Sequence, residues 1–486
     1  MLFNSYIFLL LFLPLVIVGY FSLNHFKLYR LAMIFVLIMS LWFYGYFNAY
    51  YLLIMIASIV MNYVAYKYIN KYKDRIVIKR TIAATAIVIN VAALFYFKYY
   101  DFFIENINAL FKTDFTLMHI VLPLGISFFT FQQLSFVIDS YKGDVPQYNI
   151  IDYACFVTYF PQLVAGPIVT HDELVPQFED KSKKSFRWDN FSKGLFAFTL
   201  GLSKKVLIAD MMGNAVNWGY ANLYELDSIN ALIVTLCYTI QIYFDFSGYS
   251  DMAIGMGKMM NIDLPLNFNS PYKALTINDF WNRWHMTLTR FFKKYIYIPL
   301  GGNRKGVFRT YLNMMIVYLI SGIWHGANWT FIFWGVCHGL FCIISRHNKI
   351  RLDKLHPVLN WIITFSFVNL MWIFFRADSI GDAVYIIQVI AGGNISGGIH
   401  PELVNSFLSA EWNIISYAIS IVREYNHLIL IGYIILSLIA TLGMKNVYER
   451  VQTLKPKFST TMMISVLLTL CIMSFSGVST FLYFNF

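Results

Sequence analysis

Charge is scarce in this chain. Of its 486 residues only 13% are Asp, Glu, Lys or Arg, against about a quarter in an ordinary globular protein. Water-soluble classes are thereby set aside. Its five cysteines (Cys155, Cys237, Cys337, Cys342 and Cys471) are scattered through apolar stretches with no metal-ligand spacing and no pattern of a disulfide framework. They read as small buried hydrophobes. There is no Gly-rich phosphate loop, zinc motif or nucleophile elbow, and His325 and His338 stand more than three helical turns apart, too far for a helical ligand pair. No metal site is expected. No low-complexity linker or internal repeat divides the sequence, which reads as one membrane domain over 1–486.

What fills the chain is apolar: 58% hydrophobic residues and 19% aromatic ones, with a mean hydropathy of +0.58. This is the composition of an all-α polytopic membrane protein. A span needs about 20 mostly apolar residues. Runs that qualify, some of them short or re-entrant, are 2–21, 31–46, 50–68, 81–97, 120–137, 153–169, 195–212, 229–246, 312–323, 329–345, 359–375, 428–442 and 462–480. The expected count is roughly 11–13 helices. The first run has no basic n-region and no small-residue cleavage site, so it reads as a membrane helix and not a cleaved signal.

The net charge of +11 is not a nucleic-acid signal in such a chain, because Lys and Arg gather in cytoplasmic loops and set topology. The basic loops are 67–80, 303–309, 346–354 and 445–457. Placing all four in the cytoplasm makes the intervening segments alternate consistently and puts both termini outside.

Ionisable residues inside such runs are costly and raise functional hypotheses by default. His325 lies in "YLISGIWHGANWTFIFWGVCHG", about a dozen residues into a helix, hence roughly 20 Å deep in a core about 30 Å thick. Gly322 and Gly326 bracket it and permit close approach of a backbone or ligand. A buried imidazole stays neutral, as a general base must, although a packed histidine is the equal alternative. "QIYFDFSGYSDMAIG" holds Asp245 and Asp251, which would orient a histidine, pair with a cation, or simply tie helices together. Lys204 and Lys205 in "LSKKVLIAD" read as snorkelling cations. "AGPI", framed by Pro161 and Pro167, breaks a helix, which at membrane depth is tolerated only in a buried or cavity-lining position. His171 beyond it reads as a loop residue. In "NDFWNRWHMTLTRFFKKYIYIPLGGNRKG", helical spacing puts Trp281, His285, Leu288 and Phe292 on one face and Arg283, Thr287, Arg290 and Lys294 on the other. That is an interfacial amphipathic helix, ended by Pro299 and Gly301-Gly302.

Together "DFWNRWHMTLTRFFKKYIYIPLGGNRKG", "SGIWHGANWTFIFWGVCHG", "AGPIVTHDELVPQF" and "YFDFSGYSDMAIGMGKMMN" resemble the membrane-bound O-acyltransferases (MBOAT), in particular the bacterial alginate O-acetyltransferase branch. The resemblance covers residues 122–375 most specifically. It implies helices around a central tunnel, with the family's invariant histidine at His325 and its second motif histidine at His285. It implies acetyl-CoA as cytoplasmic donor with no tightly bound cofactor, and His325 as the base that deprotonates an acceptor hydroxyl. Asn328, His285, Asp245 or backbone N–H groups are left open as oxyanion donors or orienting groups. Arg290, Lys294, Arg304 and Lys305 are candidates for the coenzyme A phosphates. The final acceptor would be a surface polysaccharide, reached through an extracytoplasmic partner of the SGNH, serine-hydrolase-like kind. The location would be a bacterial cytoplasmic membrane. The tail 478–486, with its "FLYFNF", is similar to the C-terminal motif of the small partner in the related D-alanylation machinery, which makes Tyr483 a candidate acyl relay. D-alanyl transfer from a carrier-protein thioester to teichoic acid is an alternative, and a non-enzymatic polysaccharide transporter or channel is another.

Overall fold

Long apolar helices dominate the computed structural model, which describes residues 1–395, 397–407, 425–455, 457–477 and 481–482. No strand occurs among them. Among the described residues eight helices are long and apolar enough to cross a membrane: α1 (Phe8–His25), α2 (Ala49–Lys71), α3 (Ile76–Lys98), α4 (Ser228–Met259), α5 (Gly306–His325), α6 (Trp329–His347), α7 (Pro357–Arg376) and α8 (Asn426–Gly443). Three shorter apolar helices accompany them: Tyr29–Gly45, Ile380–Gly392 and Phe458–Met473. The chain is a multi-pass membrane protein of the all-α class.

Two expected spans fold differently. The run 120–137 becomes helical only at Ile126, because Gly125 adopts φ +70° and turns the chain there. The run 153–169 holds a helix only over Ile150–Thr158. Non-helical backbone then continues to Thr170, and residues 159–169 of it are buried, the condition under which irregular backbone is tolerated at membrane depth. His171 is not a loop residue: it opens the helix His171–Glu179 behind a Thr170–Glu173 capping box, and it is 3% exposed.

The chain's contacts divide into two compact units, Met1–Phe198 with Met252–Leu266, and Thr199–Asp251 with Asn267–Phe486. In the first, three buried amides, Asn62, Asn90 and Gln133, pair with one another. Asn62 donates to Gln133 Oε1 at 2.7 Å, and Asn90 donates to Asn62 Oδ1 at 2.7 Å. Such pairing is what burial of an amide requires. Aromatic packing closes around them; Phe136 and Tyr153, for example, lie 4.4 Å apart.

In the second unit α5 and α6 pack closely. A Cβ on Gly322 would collide with the Phe331 carbonyl oxygen, and a Cβ on Gly335 would meet the Tyr318 carbonyl at 2.5 Å. Small residues facing each other let two membrane helices approach this nearly. The crossing positions the end of α5, where His325 sits.

Candidate active site

His325 is the last residue of α5, and Gly326 leaves the helix with extended backbone at φ −163°. The break follows from local sequence: a Cβ on Gly326 would strike the Phe331 ring, and Asn328 opens α6 two residues later. The imidazole is 3% exposed. Three aromatic rings pack edge-on against it: Trp324 at 4.8 Å, Trp334 at 5.2 Å and Phe375 at 5.1 Å between centroids. Such a wall lowers the local dielectric and strengthens any charge interaction that develops there.

His285 approaches the same wall. Its centroid is 6.3 Å from that of Trp324, whose other neighbour is the His325 ring. The expected continuous amphipathic helix is not present. Two short helices, Ile277–Arg283 and Met286–Phe292, meet at His285, which takes φ +43°. A non-glycine residue in that left-handed region carries strain that its surroundings must hold. They do so through segment 267–269: Asn269 N–H donates to the Arg283 carbonyl and Met286 N–H to the Asn267 carbonyl, both at 2.9 Å. The expected inward face holds, with Trp281, His285, Leu288 and Phe292 all buried. Thr287, expected outside, is also buried. The break at His285 rotates the second helix, and the Thr287 hydroxyl then donates to Asn267 Oδ1 at 2.9 Å.

Asn267 fixes the protonation pattern of His285. Its Oδ1 accepts the Thr287 backbone N–H (3.4 Å) and lies 3.0 Å from His285 Nδ1. A backbone N–H only donates, so this atom is the amide oxygen, and His285 must carry its proton on Nδ1. The lone pair is then on Nε2. The side chain is fully buried, and burial lowers its pKa to about 3. His285 is thus a neutral imidazole of defined tautomer, a residue no spacing rule links to Asn267.

His338, on α6, is a further buried imidazole close by. Trp281 Nε1 donates to its Nδ1 at 3.2 Å, and its ring lies 4.7 Å from Trp334. An apolar cavity of about 220 Å³ adjoins this group, lined by Trp281, Leu288, Phe292, Met314, Tyr318 and Ser321, with the cations Lys293 and Arg346 on its wall. Ser321 is one helical turn before His325.

The other expected residues fall elsewhere. Asn328 caps α6: its Oδ1 accepts Thr330 N–H at 3.0 Å, and its Nδ2 donates to the Asp378 carbonyl at 2.8 Å. Asp245 faces Lys205 at 2.6 Å and accepts the Leu482 N–H at 3.0 Å. Lys204 and Lys205 do not snorkel. A π-helical turn over Lys204–Ala209 turns them inward, Lys205 onto Asp245 and Asp210 (2.8 Å) and Lys204 onto Asp251 (2.6 Å). Ion pairing removes the need to reach water. Arg290, Arg304 and Lys305 are exposed and Lys294 half-buried, beside the Tyr295 ring. Tyr483 lies outside the described residues.

Comparison with known proteins identifies the family. The profile of MBOAT, the membrane-bound O-acyltransferase family, matches residues 140–377, a stretch that holds Asn267, His285, His325 and His338. A peptidoglycan O-acetyltransferase of Helicobacter pylori is 41% identical over 424 residues, 81% of this chain and 80% of its own length. A probable alginate O-acetylase of Pseudomonas aeruginosa is 39% identical over 78% of this chain and 73% of its own. A teichoic acid D-alanyltransferase of Bacillus subtilis is 26% identical over 50% of this chain and 66% of its own. Such similarity across most of both chains makes this chain a member of the membrane-bound O-acyltransferase family, an O-acyltransferase set in a membrane.

Proposed function

We propose that the chain takes acetyl from cytoplasmic acetyl-CoA and passes it across a bacterial cytoplasmic membrane for O-acetylation of an extracytoplasmic polysaccharide. The observation that carries the reading is that His325, at the end of α5, and His285 both lie against the ring of Trp324. The names of the more similar relatives, an alginate O-acetylase and a peptidoglycan O-acetyltransferase, support a sugar acceptor and an acetyl group. The D-alanyl reading has weaker support, from relatives 25–26% identical over about half the chain.

In this mechanism His325 removes the proton of an acceptor hydroxyl as its oxygen attacks the thioester carbonyl. The tetrahedral oxyanion collapses, the C–S bond breaks, and the proton on His325 passes to the departing thiolate. The oxyanion needs donors in place before charge develops; backbone N–H groups in the non-helical turn 326–328 are the candidates. The tautomer of His285 offers a lone pair at Nε2, which suits it to orient the acceptor hydroxyl rather than to stabilise an anion. The cavity beside Ser321 has the apolar character that a pantetheine-like arm needs, and the exposed Arg290, Arg304 and Lys305, with the half-buried Lys294, are the candidates for its phosphates. Both termini are placed outside in this reading.

Tyr483 is the proposed relay, receiving acetyl as a phenolic ester. Leu482, the residue before it, is tied by its N–H to Asp245. A serine-hydrolase-like partner outside the membrane then completes transfer to sugar, since the relay ester must be unloaded there. The test is incubation of the protein in lipid with acetyl-labelled acetyl-CoA. Label on the wild-type chain that is lost in Tyr483→Phe, together with the single turnover of thiol release that accompanies it, supports the relay. Full polymer acetylation by Tyr483→Phe in cells would remove it.

A further inference from the structure

A second cavity, of about 290 Å³, lies in the second unit between α8, the helix Phe458–Met473 and the helical stretch from Leu200 to Ile208. Leu200, Ile208, Phe244, Met463 and Leu467 form apolar walls; Lys204, Lys445 and Arg450 supply the cations. Lys204 is neutralised by Asp251 at 2.6 Å. The surplus positive charge therefore belongs to Lys445 and Arg450, helped by Lys273, whose ammonium donates to the carbonyl of the lining residue Met444 at 2.8 Å. Arg450 Nε donates to the Lys445 carbonyl at 3.2 Å, which holds the two cations on one rim. Glu449, the acid beside Arg450 in the sequence, is exposed. At the outer edge Met444 is 49% and Met463 40% exposed, apolar surface of the kind that faces acyl chains.

The chemistry of the two halves selects the ligand. A small soluble anion would leave the apolar walls unused, and a bare acyl chain would leave the cations unused. Basic pockets between membrane helices are read as sites for anionic headgroups. We propose that this cavity holds one anionic glycerophospholipid, its phosphate between Lys445 and Arg450 and an acyl chain along Phe244, Met463 and Leu467. The site is separate from the histidine wall, and its test reads bound lipid rather than acyl transfer, so it stands or falls independently of the acetyl reading.

The protein in neutral detergent is titrated with dioleoylphosphatidylglycerol or dioleoylphosphatidylcholine, and retained lipid is counted by native mass spectrometry. One phosphatidylglycerol should be held preferentially. Lys445→Gln with Arg450→Gln should lower its retention at least tenfold, whereas Arg351→Gln with Lys354→Gln, in another basic loop, should leave it unchanged. Leu467→Trp, which fills the apolar half without altering charge, should also weaken retention, and neither inorganic phosphate nor acetyl-CoA should displace the lipid. Equal retention of the two lipids, or equal losses in the two double variants, would overturn the proposal. Displacement by acetyl-CoA would assign the cavity to the thioester donor instead, and displacement by inorganic phosphate would reduce it to a simple anion site.

Discussion

Asn267 Oδ1 and His285 Nδ1 lie 3.0 Å apart, and the same oxygen accepts a backbone N–H from Thr287. The contact sets which nitrogen of a buried imidazole carries its proton. We predict that Asn267→Ala lowers the turnover number by about 10–100-fold with little change in KM, because the tautomer and ring orientation are lost while substrate contacts remain. It should also destabilise the fold by about 1–3 kcal/mol, the consequence of leaving buried donors unsatisfied. Steady-state kinetics at matched folding check this; a change confined to KM would assign Asn267 to substrate binding.

Acid should weaken the protein through His285. Its folded pKa of about 3 lies below the ordinary 6.5, so the unfolded chain takes up the proton first as pH falls. The stabilising contribution is complete above about pH 6.5 and is lost progressively toward pH 3. Between pH 7.5 and 4.5 the loss is about 3 kcal/mol. Thermal unfolding of wild type and His285→Gln at both pH values tests it: the variant should be less sensitive to pH. Equal sensitivity would place the acid effect elsewhere.

Lys205 sits between two carboxylates, 2.6 Å from Asp245 and 2.8 Å from Asp210, and is 1% exposed. Lys205→Met should destabilise by about 3–5 kcal/mol, because it leaves buried carboxylates uncompensated. Adding Asp245→Asn should restore part of that loss. Denaturation in detergent gives the answer, and no recovery in the double variant would mean that Lys205 acts through packing alone.

Gly322 faces the Phe331 carbonyl where α5 crosses α6. Gly322→Val should separate the helices, lower the melting temperature by several degrees and displace His325. A variant with wild-type melting and thiol release would show that the crossing can relax.

Most of the fold was legible because membrane spans are local. An apolar run such as 359–375 announces α7 with no help from distant residues. The site was legible in part: His325 and His285 stand out as polar groups in apolar text, and the motifs around them carry the family resemblance. What stayed hidden depends on partners far along the chain. Lys205 finds Asp245 forty positions on, across a π-helical turn that composition does not mark. Asn267, in "PLNFNSP", is one polar residue among several, and only folding brings it to His285. The break at His285 was unreadable because a heptad-like stripe continues through it; tertiary contacts to segment 267–269 overrode the helical pattern. His338 was visible as a histidine, but its donor, Trp281, lies on a different helix.

The most direct measurement is thiol release from acetyl-CoA by the purified protein in lipid, wild type against His325→Ala at matched folding. The account predicts release by the wild type and a fall of at least about 100-fold in the variant, the range expected when a general base is removed. Equal release by both proteins would contradict it and leave His325 as a packed histidine.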